Sequence, residues 1–152
     1  ILDDVRKNLK VETIERAVKI IKKHGIKAKI NILVGCSTLE SKETIARNRK
    51  VVRKLDVDQV MYNITNPFPG TELYDIAKRD GWFVDGDYRP ADVQKEAIIK
   101  LPNLTPDELI REVRRANREF FLSPRFVMKN ILRFRSPRDF FDAVKALSRK
   151  LF

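Results

Sequence analysis

The residues able to do chemistry are few, and they gather at two places. The chain holds one cysteine, Cys36, and one histidine, His24. A single thiol excludes a disulfide within the chain and any zinc or iron–sulfur site built from several local thiolates. A nucleophilic Cys36 would need a base beside it, and His24 sits at the end of the preceding predicted helix, where it suits the helix dipole and solvent. Cys36 therefore reads as a structural thiol. It follows Asn31-Ile32-Leu33-Val34-Gly35, an apolar run ending in glycine. Glycine at a strand end lets the backbone approach a ligand closely, and Cys36-Ser37-Thr38 adds small polar groups and free amides; a tight strand-to-helix turn explains the same residues equally well. Glu40 and Ser41 read as the first residues of the next helix, with Glu43 or Thr44 holding its first turn. The second place is Asn66-Pro67-Phe68-Pro69-Gly70-Thr71-Glu72-Leu73-Tyr74. Two prolines stiffen this stretch, Gly70 allows an unusual turn, and Thr71 can cap a helix.

The elements around these clusters decide whether they meet. Apolar residues at Ile14, Ala17, Val18 and Ile21 make a helical stripe over Val11 to His24, stopped by Gly25. Ile26 to Val34 reads as a strand whose nearly all-apolar end suits cover on both faces. A second helix starts at Glu40 or Ser41 with Ile45, Val52 and Leu55 on one face, and Val57 to Ile64 is the next strand. Alternation at this spacing means parallel crossovers. Both clusters then follow consecutive parallel strands and lie together at the carboxyl rim, where α/β sheets place ligands. Farther on, a helix from Thr71 to about Asp80 ends at Gly81, with Trp82 and Phe83 packing beneath it. Residues 85–103 read as a loop with a weak helix near Ala91 to Ile99. Thr105-Pro106-Asp107-Glu108 starts a helix reaching about Phe121, and Ser123-Pro124 and Ser136-Pro137-Arg138-Asp139 mark two more starts.

A composition of 43% hydrophobic and 35% charged residues is that of a soluble globular chain. No apolar run is long enough for a transmembrane helix and no secretory leader opens the chain, so the expected setting is cytoplasmic. Net charge is +11, and after residue 104 the chain carries 12 Lys/Arg against 6 Asp/Glu. There Phe126, Phe134, Phe140, Phe141 and Phe152 interleave with Arg125, Lys129, Arg133, Arg135, Arg138, Lys145, Arg149 and Lys150, while Phe140, Val144, Leu147 and Leu151 share one helical face. Such a tail can pack on further protein, lie on an anionic membrane surface, or contact nucleic acid. Base stacking needs exposed aromatics, and helical spacing buries most of these, so packing is favoured, with the membrane next. The first residue is Ile1 rather than Met, which suggests a piece of a longer polypeptide.

The text ILDDVRKNLKVETIERAVKIIKKHGIKAKINILVG, then Glu40-Ser41 before KETI, then NPFPGTELY, resembles the carboxyl-terminal half of the radical S-adenosylmethionine core. It looks most like the subgroup that often carries a cobalamin-binding domain and includes enzymes of the anaerobic porphyrin-cyclase type. The resemblance covers residues 1 to about 90. Lys10 and Ser41 stand where that family commonly has Thr, and Thr38 where it has Pro.

The resemblance implies an α/β fold, the carboxyl-terminal part of a partial parallel (β/α)6 barrel over residues 1–84. A connecting loop at 85–104 and a mostly helical basic extension at 105–152 would follow. It implies that Leu33 and Gly35, at the end of the fifth strand, bind S-adenosylmethionine, with Asn63, Asn66 and Pro67 contributing from the sixth. The family's three-cysteine loop has no counterpart here, so the ligands of a 4Fe-4S cluster would lie outside this chain, in an amino-terminal remainder of the same polypeptide. The implied activity is reductive cleavage of S-adenosylmethionine, followed by radical chemistry or cobalamin-assisted methyl transfer on a small-molecule substrate. The isolated chain is expected to be inactive. Two other readings compete: a non-enzymatic binding domain whose basic tail contacts RNA or an anionic membrane, and an ordinary α/β enzyme holding a phosphate-bearing ligand at Gly35.

Overall fold

A computed structural model describes residues 1–131 of the chain; of Asn130 and Ile131 only the helical backbone is described. The helix start expected at Ser136-Pro137, the apolar face from Phe140 to Leu151 and the basic residues from Arg133 onward lie outside the described residues. The fold is mixed α/β. In chain order it runs α1 (Val11–Lys23), β1 (Lys29–Val34), α2 (Lys42–Lys54), β2 (Gln59–Ile64), α3 (Glu72–Arg79), α4 (Pro106–Phe121) and α5 (Pro124–Ile131).

β1 and β2 pair in parallel, in register from Lys29↔Gln59 to Val34↔Ile64, with α2 as the crossover. Both strands are shorter than their apolar runs, and the cause is a knot at their amino ends. Gly25, at φ +70°, sends its amide to the Lys22 carbonyl while the Ile26 amide reaches the Ile21 carbonyl, closing α1 in a Schellman turn. The Ala28 amide then goes to Asp58 Oδ2 at 2.9 Å, and the Asp58 and Gln59 amides both reach the Ala28 carbonyl. Regular pairing begins after these bonds are spent.

One face of the sheet is covered and the other is not. Val34, Val60, Tyr62 and Ile64 are buried, with Ile30 and Ile32 packed beside them, and they meet apolar residues of α2 and α4 that include Ile45, Val52, Leu109 and Val113. The alternate residues Lys29, Asn31 and Leu33 are exposed, and Gln59, Met61 and Asn63 only half-buried. The apolar end of the first strand anticipates cover on both faces; among the described residues only one is covered, and Leu33 stays 57% exposed.

The helix caps follow from sequence. Ser41 Oγ accepts from the Thr44 amide and Thr44 Oγ1 from the Ser41 amide, so Thr44 rather than Glu43 completes that box. Thr105 and Glu108 form the same device at α4, with Pro106 in the first turn. α2 and α4 are stapled by buried Arg49, which pairs with Glu112 and, at 3.3 Å, with Glu119.

The weak helix expected near Ala91 to Ile99 is absent. One turn closes there, with the Lys95 and Glu96 amides on the Asp92 carbonyl and the Gln94 amide on Asp92 Oδ1. Beyond it the chain is extended, because it pairs with the stretch after α3: the Val84 amide donates to the Ile98 carbonyl at 3.0 Å and the Lys100 amide to the Trp82 carbonyl at 2.8 Å, bridging Phe83 to Ile99. A helix there would keep the Ile98 carbonyl and the Lys100 amide for itself and lose both bonds to residues 82–84.

Candidate functional site

Two loops leave the carboxyl rim of the sheet side by side, residues 35–41 after β1 and 65–71 after β2. The Thr65 amide donates to the Val34 carbonyl at 2.8 Å, so the ladder runs one step past the strands and ties the loop bases together. Leu33 and Asn63 are register partners on the uncovered face. Asn63 Oδ1 accepts from Gln94 Nε2 at 3.4 Å. Gly35, Asn66 and Pro67 are buried just beyond. All five residues proposed for cofactor contact therefore share one rim.

The first loop is organised by Glu40, which is buried at the centre of it. Its Oε2 accepts from the Gly35 amide at 3.0 Å, and its Oε1 from the Cys36 amide at 2.8 Å and the Cys36 thiol at 3.2 Å. Gly35 sits at φ +90°, which an L side chain resists. A Cβ there would touch Ile99 and Leu109 at 3.5 Å, so its bare side faces the core rather than the rim. Of the amides expected to be free at Cys36-Ser37-Thr38, that of Cys36 is occupied by this carboxylate, as is the Gly35 amide before it. That also weighs against a phosphate site, since an anion would meet a carboxylate in place of open N–H groups. Burial and the Glu40 charge push the Cys36 thiol up to about 12, leaving it a protonated donor and a poor nucleophile. Ser37 Oγ donates to Asp4 Oδ2 at 2.6 Å, and Arg6 pairs with Glu72 at 3.1 Å, so the segment before α1 reaches the first loop and the start of α3, which follows the second.

In the second loop, Asn66 Nδ2 donates to the Ala91 carbonyl at 3.3 Å. Its Oδ1 and the Thr65 hydroxyl are buried with no hydrogen-bond partner among the described residues, in residues only 8% and 5% exposed. Unsatisfied buried oxygens on two consecutive residues at a strand end are what a polar ligand or water would satisfy. Phe68 is exposed and leans on Tyr88 with ring centroids 5.5 Å apart. Thr71 caps α3, and Tyr74 OH with Lys78 holds Asp87 at 2.7 and 2.9 Å, pinning the following loop.

Sequence reasoning took Glu40 for a helix-start residue and did not single out Thr65. A glutamate five residues past a glycine is a faint signal for an amide clamp, and nothing local marks Thr65. Among the described residues no cluster of three or more His, Cys, Asp or Glu could hold a metal. With one half-buried, protonated thiol, the chain does not fit an iron–sulfur cluster.

No family model matches the chain. A protein of Pyrococcus horikoshii described as an uncharacterized methyltransferase is 28% identical over 131 residues, which cover 86% of this chain and 28% of that protein. The chain thus spans little more than a quarter of the length of the relative it matches.

Proposed function

We propose that this chain is the carboxyl-terminal part of a partial parallel barrel in a radical S-adenosylmethionine enzyme, where it forms part of the cofactor wall. The observation that carries this reading is two buried oxygens without partners among the described residues, Thr65 Oγ1 and Asn66 Oδ1, at the carboxyl rim of a parallel sheet. The uncovered face and the methyltransferase description of the distant relative support it. S-adenosylmethionine, when bound, supplies an adenosyl or methyl group for transfer chemistry. Asn66 and Thr65 would take its N–H and O–H donors, Leu33 would offer an exposed apolar side chain to its ring, and Glu40 holds the Gly35 loop in shape from below. Asn63, held by Gln94, and buried Pro67 stiffen the second strand end. A 4Fe-4S cluster, and cobalamin where used, would be held by residues outside this chain. The substrate would be a small molecule bound over the uncovered face. Among the described residues no helix is long and apolar enough to cross a membrane.

The test is calorimetric titration of S-adenosylmethionine into the intact polypeptide that contains this chain, with product analysis after reduction. Thr65→Val with Asn66→Ala should weaken binding by roughly tenfold or more, the loss of about one to two hydrogen bonds. Release of 5'-deoxyadenosine supports the radical reading. S-adenosylhomocysteine as the sole product points instead to direct methyl transfer, and no binding at all removes the proposal.

A further inference from the structure

The corner between α4 and α5 carries a surface that rim chemistry leaves unused. Ser123 fixes that corner: its hydroxyl donates to the Phe120 carbonyl at 2.7 Å and accepts from the Phe126 amide at 3.3 Å. Phe120, Phe121 and Phe126 pack on one another with ring centroids 5.1–5.4 Å apart. With the aromatics turned inward, what remains outside is aliphatic or thioether: Leu122 at 54% exposure, Val127, and Met128 at 67%. Met128 lies one turn beyond Pro124, so the two share a face of α5. Pro124 and Leu122 in turn border a shallow depression whose other walls include Arg53 and Arg118. Neither arginine has an ion-pair partner among the described residues. The acid in the same wall, Glu119, is already held by Arg49 and Arg115.

We propose that this corner docks on an anionic lipid surface, with Leu122, Pro124 and Met128 entering the headgroup–acyl boundary and Arg53 and Arg118 meeting lipid phosphates. An apolar stripe beside uncompensated arginines is the pairing an interfacial helix uses, since burial and headgroup attraction add. The same pairing serves nucleic acid poorly. Stacking on bases needs exposed aromatic rings, and here the rings are spent on each other. Sequence beyond the described residues adds charge of the same sign, six Lys/Arg against two Asp/Glu over 132–152. The inference does not depend on the chemistry proposed for the rim.

Co-sedimentation of the full chain with vesicles of phosphatidylcholine, with and without phosphatidylglycerol, tests it. Binding should require phosphatidylglycerol and fall with salt. Arg53→Gln and Arg118→Gln should each lower partitioning about fivefold, and Leu122→Glu with Met128→Glu should abolish it. These side chains are exposed, so unchanged thermal unfolding of each variant shows that loss of binding is not loss of fold. Equal binding to neutral vesicles overturns the proposal, as does binding that the corner variants leave untouched. So does self-association through Leu122 and Met128 in place of vesicle binding. Retention of a single-stranded RNA oligomer, sensitive to Arg53 and Arg118 while vesicles bind nothing, assigns the corner to nucleic acid and overturns it too.

Discussion

On the β2 side of the sheet the outward-pointing backbone is bonded at Tyr62 and Ile64; on the β1 side, among the described residues, it is bare. The Asn117 carboxamide, from α4, accepts from the Tyr62 amide at 3.1 Å and donates to the Tyr62 carbonyl at 3.3 Å, standing in for a residue of a third strand. One step on, the Ile64 amide donates to the Val93 carbonyl at 2.7 Å. Across the sheet, the even-numbered residues of β1 face β2, as the Ala28 and Val34 carbonyls show. Lys29, Asn31 and Leu33 therefore point their amides and carbonyls the other way, and none finds a partner among the described residues. An open strand edge invites pairing, and proteins usually cover one with a helix, loop or charge. This sheet is sealed on one side by a helix side chain and a loop, and left on the other as a template for a further strand. The uncovered face, which shares those same residues, belongs with the open side.

Among changes to the hydrogen bonding, the largest expected effect comes from breaking the sealed edge. Asn117→Leu would leave the amide and carbonyl of buried Tyr62 without partners, a loss of about 2–4 kcal/mol by urea denaturation, and would give β2 an open edge as well, visible as increased self-association. If stability is unchanged, the Asn117 bonds are not what closes the sheet. Next is the clamp beneath the open strand's loop. Glu40→Ala releases two amides and should cost about 2 kcal/mol. Burial alone would then hold up the Cys36 thiol, so its pKa should drop and alkylation at pH 8 should speed up. A Cys36 as inert as before would show that Glu40 does not control it.

Features carried by a few neighbouring residues could be read from sequence. The Thr105-Pro106 start, the Ser41 cap, the Gly25 stop and the pairing of two parallel strands each rest on local chemistry. What could not be read depends on chain far away. Asn117 meets Tyr62 across 55 positions, and no spacing rule makes a helical asparagine into a strand partner. The 91–99 stretch has helix-forming residues, but backbone bonds from Val84 to Ile98 and from Lys100 to Trp82 select an extended path. At the site, Leu33, Gly35, Asn63, Asn66 and Pro67 come to one rim because parallel strands end together. Glu40 was legible as a residue near a helix start but not as a clamp, since that role depends on the left-handed turn at Gly35.

A smaller effect tests whether the two strands share one anchor at their amino ends. Asp58 takes Lys22 at 2.6 Å and Lys129 at 3.0 Å, along with the Ala28 amide. Burial would raise its pKa, yet these partners together outweigh burial and hold the carboxyl well below the usual range. A carboxyl whose folded pKa is depressed gives stability that is complete above the unfolded value of about 4. That stability is lost as pH falls toward the folded value. Stability should thus be flat near neutrality and decline below about pH 4. Asp58→Asn should cost about 1.5 kcal/mol at pH 7 and flatten the acid slope. A variant with the wild-type acid slope would place that linkage elsewhere.

The smallest effect is the sharpest statement about the open side. If Leu33 is exposed because its face awaits a ligand or a further strand, replacing it should cost the fold nothing, so Leu33→Gln should change stability by less than about 0.5 kcal/mol. Its neighbour Ile64, on the covered face at the same strand end, should cost about 2–5 kcal/mol when cut to alanine. Amide exchange reads the same contrast without mutation: Asn31 and Leu33 should exchange fast, and Tyr62 and Ile64 slowly, because only the second pair is bonded. A large loss on Leu33→Gln, or protection at Asn31 matching that at Tyr62, would mean that the β1 side is already covered. The proposed wall of a larger barrel would then have no room to continue.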